Sequence, residues 1–303
     1  SFFKINMNND YVGFLFHTFY TLLSGFFIIK ILKDFTSIKD IKIILIILFS
    51  ILSIDGRYSI LDTNYSSWIL RHTGTTLQVG HSLTFLFFWC LLKEKKLMLS
   101  FLSPLMLLIS VKATFFSIAI GIVYSFFYFQ KTNNKLWIIF PILTGFYLLS
   151  KNVYIESYNF ETKKILWDHI IEREGEEASF HLQSKIKLFL FIFSLPVFYF
   201  FLKKINNTKL KKFSSVLLFL TIVIFIWGYF YHLYGGNFFP EPKLAALAPT
   251  RAVEVYEFFF FFLIALLIYN STFSNLFKVV LYCVLYYVPF GFKGVLISIF
   301  IIL

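Results

Sequence analysis

Apolar runs separated by short polar turns dominate this chain. They span 11–31, 38–54, 77–92, 136–150, 186–202, 213–233, 255–269 and 276–290, and none alternates with the period of two that a half-buried strand requires. A helix of roughly 20 apolar residues crosses about 30 Å of hydrocarbon, so the pattern predicts an all-α polytopic transmembrane bundle of about eight spans. The stretch 97–130 breaks the rhythm: it is awkward for one helix, short for two full spans, and interrupted near Val111 and Lys112. Two short helices meeting beside Lys112, as a re-entrant hairpin or a tightly tilted pair, satisfy its length. No internal repeat or low-complexity linker divides the chain, and residues 1–303 read as one membrane domain.

The polar turns are sorted by cation. Turns around Lys33, Lys95, Lys131 and Lys203 carry only lysine, and they alternate with segments holding all four arginines: Arg57, Arg71, Arg173 and Arg251. Lysine-only turns mark the cytoplasmic side, which puts 1–10, 55–76, 151–185 and 235–254 on the outer face. Five of the six histidines (His72, His81, His169, His181 and His232) lie in or beside these outer segments, and His17 lies in the outer part of the first run. Two outer segments show helical apolar spacing. In TKKILWDHIIEREGEEASFHLQSK, Ile165, Leu166, Ile170 and Ile171 recur beside Trp167, and in YSSWILRHTGTT the anchors are Tyr65, Trp68 and Ile69. Both predict amphipathic helices at the water boundary.

Composition agrees with the pattern: 58% of residues are hydrophobic, 22% aromatic and 15% charged, too apolar for a soluble domain. The net charge of +12 sits in short runs such as KEKK and KKINNTKLKK, so it belongs to topology and no nucleic-acid partner is expected. Cys90 and Cys283 fall inside apolar runs and read as packing residues. The chain opens on Ser1 and closes within an apolar run, so it reads as a fragment truncated at both ends, with a first helix expected upstream.

Candidate chemistry concentrates on the outer face. Pro249 and Thr250 set up a helix start that leaves Arg251 in the first turn, where a cation opposes the helix dipole unless an anion binds both. A phosphate fits that arrangement; the alternative is an i,i+3 pair with Glu254 on a wet surface. Arg71 with His72, and Arg173 with His181, suit phosphate gripping and proton handling; the alternative is interfacial pairing, for Arg173 with the surrounding glutamates. Asp10 closes the polar stretch NMNND, either as a general base or as a helix N-cap. Lys112 lies within an apolar run, either marking a cavity or snorkelling to one interface. Walker, HExxH and GxSxG motifs are absent, and no His or Cys cluster has metal-ligand spacing. No cofactor is called for, and a divalent cation is left open.

Two segments carry a resemblance. RHTGTTLQVGHSLTFLFFWCLLKEKKLMLSFLSPLMLLISVKATFFSIAIGIVYSF is similar in layout to the GT-C superfamily of integral-membrane glycosyltransferases: an outer loop, a span, a short basic turn and two short helices with a polar residue between them. KLAALAPTRAVEVYEFFFFFLIALL resembles that superfamily's late outer loop, in which an Arg precedes a span. The resemblance covers about a third of the chain. It implies transfer of a sugar from a polyprenyl-phosphate donor, with Asp10 as base, Arg251 on the donor phosphate, and Arg71, His72, Arg173 and His181 lining an outer cavity. Lys112 would approach that cavity from beneath. The expected partners are the lipid-linked donor and membrane lipid, and the expected location is the bacterial inner membrane. Two other classes share parts of the pattern: a polysaccharide polymerase or ligase, and a transporter or lipid flippase.

Overall fold

The computed structural model describes residues 10–36, 38, 76–130, 132–150, 158–174, 185–245 and 251–287, and every regular element among them is helical. The longer helices are α1 (Asp10–Phe35), α2 (Thr76–Leu92), α3 (Lys96–Ile109), α4 (Val111–Tyr128), α5 (Ile139–Ser150), α6 (Phe160–Glu174), α7 (Lys185–Lys203), α8 (Thr208–Phe238), α9 (Arg251–Asn270) and α10 (Asn275–Tyr287). The turns Thr132–Lys135 and Leu136–Ile138 lead into α5, and Pro242–Ala245 forms a further short turn. Seven of the eight expected spans are therefore helices, α10 as far as it is described; the run 38–54 lies outside the described residues except for Ile38, as does the amphipathic stretch at 65–76 apart from Thr76. The helix α8, 31 residues with mean hydropathy 2.2 over its best window, is long and apolar enough by itself to cross a membrane, and the other apolar helices are shorter by that measure.

The core forms around α9. Its sequence VEVYEFFFFFLIALLI is apolar on all sides, and a helix of that kind is stable only when surrounded. It packs against α4 and α10 and, through rings, against α2, α7 and α8: Phe85 on Phe258 at 4.7 Å, Phe88 on Phe259 at 5.7 Å, Phe213 on Phe259 at 5.0 Å, and Phe198 on Tyr256 at 5.0 Å. Several polar atoms inside are matched, although the Ser214 hydroxyl has no hydrogen-bond partner among the described residues. Ser194 donates to the Phe191 carbonyl at 2.6 Å and stands 2.9 Å from the Tyr256 hydroxyl, while the Tyr282 hydroxyl donates to the Ala265 carbonyl at 2.9 Å.

Outside this core the helices keep apolar faces toward their surroundings. Leu15, Phe19, Leu22 and Phe26 form an exposed stripe on α1, Leu97, Phe101, Leu105 and Leu108 on α3, and Phe219, Val223, Ile226 and Phe230 on α8. Each stripe follows the i, i+4, i+7 or i+8, i+11 spacing of one helix face. Apolar surface arranged in this way, on several helices at once, suits hydrocarbon and not water.

The lysine-only turns meet at one end of the bundle. Lys93 pairs with Asp34 at 3.1 Å, Lys209 pairs with Glu94 at 3.1 Å, and the Asn134 amide reaches the other oxygen of Glu94 at 3.4 Å. Glu94 closes α2 in a Schellman arrangement: its own N–H donates to Leu91, the Lys95 N–H donates to Cys90, and Glu94 takes the left-handed φ of 55° that glycine usually occupies there. Among the described residues seven lysines, including Lys93, Lys135, Lys204, Lys212 and Lys278, hold their ammonium groups over aromatic rings at 4.7–5.8 Å. Long apolar stems with charged tips over rings form the arrangement expected where a membrane meets water.

The break in 97–130 falls at Ser110, one residue before the position expected from the sequence. Ser110 is extended (φ −159°, ψ 101°), and its hydroxyl accepts the Ala113 N–H at 3.4 Å, so it ends α3 and caps α4 in one residue. Ser110 and Ala113 pack on Gly80, where an added methyl would stand 3.0 Å from Ala113 Cβ. Gly80 is twelve residues from the end of α2 at Leu92, so the joint lies about 18 Å into the bundle from the lysine end, where the chain turns back.

Two substitutions of the same kind have opposite expected signs. A methyl on Gly121 would lie 2.5 Å from Phe87 Cζ and 3.2 Å from Trp137, whereas Gly145 has nothing within 4 Å. Gly121→Ala should cost about 1–3 kcal/mol, and Gly145→Ala should gain about 0.5–1 kcal/mol, read as melting temperatures in detergent. Asp34 supplies a pH dependence. Burial alone raises its carboxyl, but the Trp89 indole, which donates to it at 3.0 Å, and the Lys93 and Lys30 charges outweigh that and hold it below its ordinary value. A depressed carboxyl stabilises above its unfolded pKa and loses that contribution as pH falls through its folded one. Asp34→Asn should therefore melt below the parent near neutral pH, and the two melting curves should converge as the pH is lowered through the depressed value.

Candidate functional site

Two layers of polar residues lie toward the end opposite the lysines. The deeper layer is set by register. Gly80 packs on Ala113 and Thr114, and Thr84 Oγ1 lies 3.3 Å from Ser117 Oγ, so α2 and α4 run in parallel with a constant offset. Phe85 on Phe258 ties α9 to the same ladder. Followed outward, the ladder brings Lys112, second residue of α4, and Arg251, first residue of α9, to the same depth within about one helical turn. His81 follows Gly80 on α2 at that level. Two neighbouring helix starts, each with a cation in its first turn, thus share one level, and the dipoles of both helices add to the positive potential there.

Burial begins early along α9. Val253, Val255 and Tyr256 are buried, and Glu257 is only 8% exposed. Glu257 is the one fully buried carboxylate residue among the described residues, and the sequence reading passed it over. The signal was present: an acid stands directly before five phenylalanines, where a solvated residue is out of place.

The outer layer is a cleft of about 550 Å³ between α6 and the last turns of α8, lined by Trp167, Asp168, Glu172, His232 and Asn237 among others. The apolar spacing of α6 predicts an amphipathic helix at the water boundary; the segment is a helix, its indole turns inward and Ile165 stays exposed. The cause lies in α8. Gly235 and Gly236 leave a slot, and Trp167 fills it, standing edge-on to Tyr231 at 4.6 Å and to His232 at 5.9 Å. Lys164 donates to Asn237 at 3.1 Å, Lys163 lies 3.8 Å from Glu241, and the Tyr231 hydroxyl donates to the Phe239 carbonyl at 3.2 Å. The buried Glu241 Oε1 accepts no hydrogen bond among the described residues. A mixed set of donors and acceptors around a wide cleft suits a polyhydroxylated ligand.

The other expected site residues divide between these layers and the rest of the chain. Asp10 is the first residue of α1. Contacts of Phe27 with Trp89 and of Asp34 with Lys93 set the register of α1, and they bring His17 to Tyr20 level with Lys112. Asp10 therefore opens its helix about 10–15 Å farther out, nearer the level of the cleft. Arg173 is in the last turn of α6. Arg71, His72 and His181 lie outside the described residues. Among the described residues no three His, Cys, Asp or Glu side chains converge in a way that would hold a metal ion.

No protein-family model matches this chain, and no curated protein and no solved structure matches it.

The glycine slot makes the cleft testable. A methyl on Gly236 would meet the Trp167 indole at 2.8 Å, through Nε1, so Gly236→Ala should push the indole out and loosen α6. The expected loss is about 1–3 kcal/mol, with faster proteolysis within 158–174 than in the parent.

Proposed function

We propose that this chain is a polytopic integral-membrane glycosyltransferase that moves a sugar from a polyprenyl-phosphate donor on the outer face of a bacterial inner membrane. The membrane part of the reading is supported by the exposed apolar stripes, by the collar of lysines over aromatic rings, and by the helix Thr208–Phe238. The chemical part rests on one observation above the others: Lys112 and Arg251 open neighbouring helices at one depth, away from the lysine end. A phosphate held there meets two cations and the positive ends of two helix dipoles. The likeness in layout to the GT-C superfamily points to the same substrate class.

In the proposed reaction an acceptor hydroxyl attacks the anomeric carbon. The bond from that carbon to the phosphate oxygen breaks, the electron pair leaves with the polyprenyl phosphate, and Arg251 and Lys112 stabilise the charge that grows on it. The hydroxyl proton passes to a carboxylate. Asp10 is the base that the resemblance implies, and Glu257 is the buried carboxylate on the same helix as Arg251.

Turnover of a radiolabelled undecaprenyl-phosphate hexose by the full chain in lipid nanodiscs tests this reading. Arg251→Ala should lower turnover about 10- to 100-fold, the cost of one charge-assisted contact to the phosphate. Asp10→Asn and Glu257→Gln assign the base, since only the true one abolishes turnover while donor binding persists. Failure of the parent to bind or turn over any polyprenyl-phosphate sugar overturns the proposal, as does an Arg251→Ala variant with unchanged turnover.

A further inference from the structure

A second cavity lies at the opposite end of the bundle and has no part in the sugar chemistry. It measures about 350 Å³ and opens between the end of α1, the turn from α7 to α8, and the end of α9. Its floor is apolar, with Phe35, Leu210 and Leu266, and its rim is polar, with Lys204, Asn206 and Asn207. Asn207 caps α8 by accepting the Leu210 N–H at 3.0 Å, so the first turn of that helix and its dipole face this rim.

The surroundings are strongly cationic. Twelve lysines among the described residues crowd this end, in 30–33, 93–96, 135, 203–212 and 278, against two carboxylates, Asp34 and Glu94. Both carboxylates are already engaged, with Lys93 and Lys209. Lys204 lies over the Phe200 ring at 4.7 Å, at the level where apolar helix faces give way to charge. A ligand that fits must be anionic at the rim, apolar toward the floor, and present where a membrane meets water.

We propose that this cavity is a binding site for an anionic membrane phospholipid, its phosphate at Lys204 and Asn207 and its acyl chain along the leucine floor. The charge excess favours an anionic headgroup over a zwitterionic one, and the apolar floor favours a lipid over free phosphate. The proposal stands independently of any donor or acceptor sugar.

The test uses the full chain in detergent, freed of bound lipid and titrated with short-chain phosphatidylglycerol, phosphatidylcholine or inorganic phosphate while thermal unfolding is followed. Phosphatidylglycerol should raise the melting temperature at concentrations where the other two leave it unchanged. Lys204→Gln should raise the half-saturating phosphatidylglycerol concentration about fivefold, the effect of one lysine near an anionic headgroup. Leu266→Trp should block the shift by filling the floor. Lys135→Gln, whose ammonium instead reaches the Phe126 carbonyl at 2.8 Å, should behave as the parent. If Leu266→Trp does not fold, the Lys204→Gln and Lys135→Gln pair still decides. Equal shifts from both lipids, a matching shift from inorganic phosphate, or an unchanged half-saturation in Lys204→Gln overturns the proposal.

Discussion

Burial of α9 from Val255 to Leu266 is the constraint from which the rest of the architecture follows. A helix reading VEVYEFFFFFLIALLI has no face to offer water, so α2, α4, α7 and α8 must surround it, and three of them, α2, α7 and α8, do so through interlocking rings at 4.7–5.7 Å. Once that helix is fixed, so is the register of its neighbours. Phe85 can meet Phe258 only at one height, and that height carries Gly80, Ala113 and the start of α4 with it. The shared depth of Lys112 and Arg251 is a consequence of core packing and needs no direct contact between the two residues.

The lysine end is held differently. Its joints are hydrogen bonds and ion pairs of partly exposed groups, each worth little alone, but two of them converge on Glu94 and a third reaches the Leu92 carbonyl, and together they fix the turn between α2 and α3 against α8 and the turn that leads into α5. That junction accounts for a non-glycine residue in left-handed backbone: Glu94 has a reason to be there that glycine would not supply. The aromatic rings under the lysines add a second restraint, because a stem lying on a ring has fewer positions open to its charge.

Much of this was legible in the sequence, and the failures have physical causes. Helix positions followed from the length and apolarity of each run, which is why expected spans and observed helices differ mainly at their ends. The pair of short helices followed from the charge of the turns flanking 97–130, although the break fell at Ser110 because a serine can cap and lysine cannot. The orientation of α6 was not legible. Its apolar spacing is compatible with a membrane surface or with a protein groove, and the decision lay 68 residues away, in the glycine pair of α8 that admits Trp167. The burial of Glu257 was equally hidden, since side-chain depth depends on neighbours that no local pattern records.

The relative depths of the acids and the cations decide how an acceptor would approach. On the ladder of contacts Asp10 lies outward of the level of Lys112 and Arg251, while Glu257 lies six residues, or about 9 Å, inward of Arg251 along α9. A general base must come within hydrogen-bond reach of the attacking hydroxyl, and that hydroxyl must face the anomeric carbon from the side away from the phosphate in an in-line displacement. With the phosphate at the two helix starts, a base at Asp10 places the acceptor between the phosphate and the outer cleft, where His232, Asn237 and Glu172 can hold further hydroxyls. A base at Glu257 would require the acceptor to pass beneath the phosphate into a core already filled by phenylalanine rings. Within the proposed reaction, the packing of α9 favours Asp10 over Glu257 as the base and the cleft under α6 as the acceptor's side. It leaves Glu257 the role of a buried anion that balances the cations above it.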